Sequence, residues 1–189
     1  MKTKKIFLIM SLLTVSIILS ACETGTRTAN LSLPEPEPVE VYAPLGELQS
    51  LNDWEFTLNS VEAVSELPLS EGSPLSFQPR EGNLFVVANM TVQYTGDFPQ
   101  RFIPEVITAM TVNPTIRYGN RRPFSVVNLG RQNPQDISNY RLSSEEEPLT
   151  GLLVFEISQS AYDDKDAELI MSFAQHGNAV LYDLRELLR

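Results

Sequence analysis

The chain of 189 residues has few of the side chains on which most enzymes and metal sites depend. It contains one cysteine, Cys22, and one histidine, His176. A two-histidine metal site is therefore excluded within one chain. A lone cysteine excludes an intrachain disulfide, so the fold must depend on its apolar core. Three of the four lysines lie within the first five residues, which leaves Lys165 for all the rest.

Cys22 follows an apolar leader. Three of the first five residues are lysines, residues 6–19 are almost wholly apolar, and Leu19-Ser20-Ala21-Cys22 ends the run. This order is typical of a secretory signal. The last four residues resemble the lipobox of bacterial lipoproteins. The resemblance implies cleavage before Cys22 and a diacylglyceryl group, with palmitate-type chains, on its thiol.

Two other interpretations of the leader stay open. As an uncleaved transmembrane helix, residues 6–19 would span about 21 Å, which is short of the roughly 30 Å hydrocarbon core. Alternatively, Cys22 follows a plain secretory signal by chance. Lipidation is favoured because the one cysteine stands at the one position that lipidation needs. We therefore expect a signal peptide over residues 1–21 and a protein anchored to the cell membrane by lipid, facing outside the cytoplasm.

Acidic residues outnumber basic ones by 24 to 14, which gives the whole chain a net charge of −10. Removal of the leader takes three lysines with it and lowers this charge to −13. An acidic surface argues against nucleic acid as a partner, because binding phosphates needs a basic face. It also argues against flat contact with an anionic membrane or wall polymer.

Residues 22–45 lack apolar periodicity and are rich in Thr, Asn, Ser, Glu and Pro. Proline alternates with other residues from Leu33 to Pro38, which favours an extended, left-handed backbone. We expect a disordered tether here, able to hold a domain up to about 70 Å from the membrane. An ordinary disordered terminus has the same composition. A lipid on Cys22 would turn either one into a tether.

From residue 46 onward, polar and apolar residues alternate with period two, as in half-buried strands. Apolar rows begin at residues 54, 84, 153, 169 and 180, and the last row ends at Leu184. The other face of the row at 84–94 begins apolar and ends polar, which predicts partial cover by a neighbouring segment. Breakers such as Asn113-Pro114 separate the rows, and no stretch shows a strong amphipathic helix. The pattern predicts an all-β domain over residues 46–189, with Trp54 as a core anchor.

The order of these rows is similar to that of an immunoglobulin-like domain family, sometimes called telokin-like, that occurs on bacterial lipoproteins. Four pieces carry the resemblance: residues 52–61, 83–97, 149–157 and 167–184. Tyr94-Thr95-Gly96 stands where the family has Asn-Thr-Gly, and Ser144 to Pro148 replaces its Pro-Gly-Glu. The resemblance implies an extracytoplasmic, immunoglobulin-like β-sandwich of about seven to nine strands. The family has no established catalytic residues to transfer.

Candidate chemical residues are few, and each also has a structural interpretation. His176 lies among residues that favour a hairpin turn, so we expect a solvated side chain at an exposed tip. The acids among Asp163 to Glu168 invite a calcium site. Leu169 stands where the calcium loop needs glycine, however, and Lys165 would repel a cation. A solvated acidic loop is therefore favoured over a metal site.

Four of the ten arginines are close in sequence in this acidic chain: Arg117, Arg121, Arg122 and Arg131. Three aromatic residues are near them: Tyr118, Phe124 and Tyr140. Arginine with aromatic residues is the composition of binding hot spots. The group could bind a carboxylate, a wall phosphate or an acidic protein loop. The alternative is a scatter of solvated arginines in loops.

The sequence therefore predicts a non-enzymatic binding or accessory module, held at the membrane through lipid on Cys22 and needing no cofactor. Its partner would be a protein or a component of the cell envelope. An envelope hydrolase with paired carboxylates is a second hypothesis, although no spacing singles out a pair. A carrier of a small ligand or a metal is the third.

Overall fold

The computed structural model describes residues 41–70, 72–103, 111–129 and 133–189. The expected signal peptide and most of the expected tether, residues 1–40, lie outside this part of the chain. Within the described ranges, no helix is both long enough and apolar enough to cross a membrane.

The described residues form twelve strands, two short α-helices and a 3-10 turn. In chain order the strands are β1 (Leu48–Leu51), β2 (Trp54–Val64), β3 (Leu67–Pro68), β4 (Ser76–Phe77), β5 (Asn83–Tyr94), β6 (Gln100–Arg101), β7 (Asn113–Tyr118), β8 (Phe124–Ser125), β9 (Arg141–Leu142), β10 (Leu149–Ser158), β11 (Leu169–Gln175) and β12 (Asn178–Asp183). The helices are α1 (Gln159–Asp163) and α2 (Leu184–Leu187), and the 3-10 turn is Ile137–Asn139.

Two antiparallel four-stranded sheets form the body of the domain. Sheet one has the order β1-β2-β5-β10, and sheet two has the order β12-β11-β7-β8. β2 pairs with β5 from Trp54 opposite Tyr94 to Val64 opposite Phe85, with one β-bulge at Asn59. The remaining described strands form two-residue ribbons, β3–β4 and β6–β9. The prediction of an all-β sandwich is confirmed, with eight strands in the two main sheets.

The inward faces of the two sheets bury one aromatic-rich core. Trp54, the predicted anchor, is 1% exposed. Its ring centroid lies 4.7 Å from that of Tyr94 and 5.1 Å from that of Phe102. The ring centroids of Phe56 in sheet one and Phe173 in sheet two are 5.0 Å apart, so contacts between aromatic rings join the two sheets directly. Burial of each such side chain contributes about 1.5–3 kcal/mol to folding.

A second, smaller apolar cluster covers part of the outer face of sheet one. Phe85, Val87 and Val154 are buried there against Leu67 of β3 and Leu129. The polar half of β5 continues beyond this cover, where its outward side chains are only half-buried. The partial cover predicted for the second face of β5 is therefore confirmed.

Two predictions of element bounds are wrong. Pro114 does not separate strands but lies in β7, opposite Phe173 of β11. The neighbouring β8 begins its pairing one residue beyond Pro114, so the missing N–H removes no ladder bond on that side. Leu184 does not close the last strand but begins α2. Asp183 caps this helix by accepting a hydrogen bond of 2.8 Å from the Arg185 N–H.

One covering segment, which includes Val127 and Gln135, lies along the outer edge of β10. The Val127 N–H donates to the Val154 carbonyl at 2.7 Å, and the Leu152 N–H donates to the Gln135 carbonyl at 2.7 Å. Gly151 lies beneath this contact, where a Cβ atom would overlap the Gln135 carbonyl oxygen. The segment therefore satisfies the edge of sheet one and depends on a glycine to approach it.

A second covering segment, residues 41–46, lies at the other side of the sandwich. Tyr42 forms a parallel bridge with Leu181 of β12, and the Ala43 N–H donates to the Leu181 carbonyl at 2.7 Å. Three residues later, the Gly46 N–H donates to the Leu58 carbonyl at 2.9 Å. This short segment is thus bonded first to sheet two and then to sheet one.

Candidate functional site

Sheet two carries three of the four predicted arginines at one end. Arg117 lies on its outer face, because both of its neighbours in β7 point into the core. Arg121 and Arg122 are exposed in the turn between β7 and β8. Arg131 lies outside the described residues. We call Arg117, Arg121 and Arg122 the arginine group.

The arginine group lies against the predicted acidic loop, residues 163–168. Arg117 Nη2 is 4.0 Å from Glu168 Oε2, with the two side chains 41% and 67% exposed. The Gly119 N–H also donates to the Glu168 carbonyl at 3.0 Å. An ion pair this exposed contributes about 0–1 kcal/mol to stability. Two features that the sequence presents separately therefore form one surface of mixed charge.

Tyr118 connects the two loops. Its hydroxyl donates a short hydrogen bond to the Asp164 carboxylate, which also accepts from the Asp166 N–H at 3.2 Å. The bond to Tyr118 lowers the pKa of Asp164 and raises the pKa of Tyr118, because it stabilises the carboxylate and the neutral phenol. The Asp164 carboxylate is thus engaged in hydrogen bonds that hold the acidic loop against β7. In the described ranges no group of three or more His, Cys, Asp or Glu side chains could hold a metal ion.

The ring of Tyr118 also contacts an arginine of the arginine group. The guanidinium carbon of Arg121 lies 5.1 Å from the ring centroid of Tyr118, within the range of a cation–π contact. A cation–π contact is an attraction between the positive charge and the face of the ring, so it uses none of the guanidinium N–H donors as hydrogen bonds. Arg121 is therefore oriented by the protein while its donors remain able to bind a carboxylate or phosphate.

A cleft of about 310 Å³ adjoins the acidic loop. It is lined by Tyr162, Lys165, Leu184, Arg185, Leu188 and Arg189. Lys165 Nζ lies 4.5 Å from the Tyr162 ring centroid. Arg185 donates to the carbonyls of Ala161 and Tyr162 at 2.7 Å each and to that of Ala167 at 3.0 Å. Most of its donors are thus used to fix the end of α1, so Arg185 is a structural residue.

A second cleft of about 290 Å³ shares Lys165 and Arg185 with the first and includes three acids. They are Asp166, Glu168 and Asp183. A hydrolase would need two carboxyls that face a bound substrate. Here Asp183 caps α2 and Glu168 pairs with Arg117. The hydrolase hypothesis therefore stays a prediction.

His176 lies in the turn between β11 and β12. Its backbone φ is 53° and that of Gly177 is 82°, so both central residues adopt the left-handed conformation of a tight hairpin turn. The His176 side chain is exposed. The predicted hairpin turn with an exposed histidine is confirmed.

Sequence reasoning missed a further group of aromatic and basic residues on the β6–β9 ribbon. Arg101 of β6 is directly opposite Arg141 of β9. Phe98, just before the ribbon, is 76% exposed. The only local signal was an aromatic residue in a turn before Pro99, because the two arginines are 40 residues apart in sequence. We call Phe98, Arg101 and Arg141 the ribbon surface.

Comparison with solved structures agrees with the fold. An uncharacterised β-sandwich protein from Clostridium difficile 630 superposes with a TM-score of 0.57 at 15% identity, covering 79% of this chain and 99% of that one. A conserved hypothetical protein from Bacillus anthracis gives 0.52 at 11% identity, covering 75% and 95%. At such identities the similarity shows a β-sandwich and nothing about activity.

A proposed lipoprotein from Bacillus subtilis gives a TM-score of 0.42 at 16% identity, covering 74% of this chain and 38% of that one. This similarity is too low to support an inference. No protein-family model matches the chain. No curated protein sequence is significantly similar to it either.

Proposed function

We propose that the protein is a non-enzymatic binding module, held outside the cytoplasm by lipid on Cys22, and that the arginine group contacts its partner. The observation that carries the binding role is the cation–π contact of Arg121 with Tyr118, whose ring centroid is 5.1 Å from the guanidinium carbon. A guanidinium oriented in this way loses less conformational entropy on binding than a free one. The location rests on the resemblance of residues 19–22 to a lipobox.

The mixed charge of this surface favours a protein as the partner. The acidic loop lies beside the arginine group, joined to it through Glu168 and Asp164. A uniformly anionic polymer would be attracted by the arginines and repelled by the neighbouring acids. A protein surface can offer a carboxylate to Arg121 and a basic group to the acidic loop. Charge complementarity of this kind determines the choice of partner more than the affinity.

Charge reversal tests the role of the arginine group. In a crosslinking pull-down from intact cells, R121E/R122E should recover at least tenfold less partner than wild type, because close charge pairs across interfaces contribute strongly. The control is R27E/R80E, which changes the net charge equally at positions outside the arginine group and the acidic loop. Equal recovery by R121E/R122E and wild type would remove the arginine group from the proposal.

A further inference from the structure

The cleft of about 310 Å³ beside α1 and α2 is basic, although the protein is acidic. Of the six described residues that line it, three are basic and none is acidic. The basic residues are Lys165, Arg185 and Arg189, whereas the chain as a whole has a net charge of −10. A cleft lined by charge of one sign concentrates ligands of the opposite sign. We call this feature the basic cleft.

Two of these cations meet at one backbone oxygen. The Tyr162 carbonyl accepts from Arg185 Nη1 at 2.7 Å and from Lys165 Nζ at 3.2 Å. The two positive groups are therefore close neighbours, which is unfavourable for like charges. Lys165 Nζ also lies 4.5 Å from the Tyr162 ring centroid, in a cation–π contact that helps to hold the ammonium in place. An anion bound beside the two groups would relieve their repulsion.

The acids near Lys165 in sequence have other partners. Three of the four carboxylates of the acidic loop contact residues outside the basic cleft. These pairs are Asp163 with Gln159, Asp164 with Tyr118, and Glu168 with Arg117. The Lys165 ammonium has three N–H donors, and the Tyr162 carbonyl takes one of them. No other residue in the described part of the chain takes the remaining two, so they are able to bind a ligand.

The rest of the basic cleft is apolar or aromatic. Leu184 is fully buried, and Leu188 and Tyr162 are half-buried. A volume of about 310 Å³ is at the lower end for small-molecule pockets, which measure roughly 300–1,000 Å³. A ligand that fits both the lining and the volume has a small apolar body and a negative charge.

We propose that the basic cleft binds a small organic monocarboxylate, with the carboxylate on Lys165 and the apolar body against Leu184 and Leu188. A single negative charge is favoured because Asp166 and Glu168 line the adjoining cleft. These acids would repel a dianionic phosphate about twice as strongly as a carboxylate. The inference goes beyond the proposed binding of a partner protein and does not depend on the arginine group.

Equilibrium dialysis of radiolabelled phenylacetate against the full chain in detergent tests this proposal, with empty micelles as the blank. Phenylacetate should bind saturably at one site near neutral pH. Phenylacetamide, which has the same shape without the charge, should bind at least tenfold more weakly. Lys165→Met keeps most of the side-chain length but removes the ammonium, and should weaken phenylacetate binding at least tenfold. Trp54 fluorescence checks that each variant is folded, because Trp54 is the only tryptophan and is buried.

Two control variants separate the basic cleft from other sites. Arg80→Met removes one positive charge at a residue that does not line the cleft, and R121E/R122E reverses the charge of the arginine group. Both should bind phenylacetate as wild type does, within about twofold.

Four results would overturn the proposal. They are an absence of saturable binding, equal binding of phenylacetamide, undiminished binding by folded Lys165→Met, and tighter binding of phenyl phosphate than of phenylacetate. Binding that is lost in R121E/R122E but kept in Lys165→Met would instead place the carboxylate on the arginine group.

Discussion

Tyr182 is fully buried on β12, and its hydroxyl has no hydrogen-bond partner among the described residues. The ring itself is well placed, edge-on to Phe173 with centroids 6.0 Å apart and planes at 88°. The aromatic part of the side chain therefore stabilises the core, whereas the buried hydroxyl loses its hydration without a replacement. Burial raises the pKa of Tyr182 to about 12.

Tyr182→Phe should therefore stabilise the protein. Removing an unpaired buried hydroxyl while keeping the ring should raise the free energy of unfolding by about 1 kcal/mol near neutral pH. The difference in the free energy of unfolding between Tyr182→Phe and wild type should increase at alkaline pH. Above pH 10 the phenol ionises in the unfolded chain but not in the folded one, so wild type loses about 2–3 kcal/mol as the pH approaches 12. Urea unfolding at neutral and alkaline pH measures both effects.

The matched control is Tyr162→Phe, since Tyr162 is only half-buried. This variant should not show the gain in stability at neutral pH that is expected of Tyr182→Phe. A Tyr182→Phe protein that is less stable than wild type at neutral pH would show that the hydroxyl has a partner.

Single residues also show what sequence reasoning could and could not reach. The burial of Trp54, Phe56 and Leu58 was predictable, because alternation along one strand is a local property. The hydrogen bond between Tyr118 and Asp164 was not, because 46 residues separate them and only the pairing of β7 with β11 brings them together. The same reason concealed the opposed arginines of the ribbon surface.

At the scale of elements, the edge of β10 depends on one glycine. Gly151 is buried, and an added Cβ would overlap both the Gln135 carbonyl oxygen and Ile137 Cγ2. The Leu152 N–H reaches the Gln135 carbonyl at 2.7 Å only because Gly151 allows this approach. The clash involves backbone, which cannot rotate away as a flexible side chain could.

Gly151→Ala should lower the free energy of unfolding by about 2–3 kcal/mol, because the covering segment must shift off β10. Hydrogen exchange should show lost protection at the Leu152 amide. Thr150→Ala, the neighbouring exposed position, removes only a 2.8 Å hydrogen bond to Thr91 and should change stability by about 0.5 kcal/mol or less. Equal stability of Gly151→Ala and wild type would mean that the segment does not pack this closely.

Elements were predicted best where local signals agree. The turn at His176-Gly177 combined turn residues with flanking alternation, and it has the expected hairpin geometry. Pro114 misled the prediction because proline usually ends a strand, whereas the short β8 leaves room for it in β7. Leu184 continued the alternation of β12, but the capping by Asp183 starts a helix there. Local pattern fixes a strand's face more reliably than its ends.

At the scale of the whole molecule, the proposed lipid determines where the domain acts. Cys22→Ala should remove the acyl mass seen by mass spectrometry and release the protein from the membrane fraction. The reason is that the Cys22 thiol is the proposed attachment point of the acyl chains, and stable anchoring needs more than one chain or signal. Thr24→Ala, two residues further along, should remain acylated and membrane-bound. Recovery of wild type from the culture supernatant with a free Cys22 thiol would contradict the anchoring.

The whole-molecule architecture followed from composition and periodicity, since many short alternating rows without helical patterns leave few options besides a sandwich. The contact surfaces did not follow from them. The arginine group was predicted because its arginines are close together in the sequence. Its acidic neighbours lie in a loop that follows β10, far from the arginines in the sequence. Residues of the ribbon surface are scattered in sequence. Folding alone brings them together, so only the three-dimensional structure could reveal them.

The double attachment of residues 41–46 has a mechanical consequence. A pull on the chain from its amino-terminal side first meets the Ala43 bond to Leu181 and then, at Gly46, the bond to Leu58. The pull therefore loads a bond to sheet two and then a bond to sheet one before it reaches β1. Under tension from this side, residues 41–46 should therefore detach before β1 does, while the aromatic core between the two sheets stays packed.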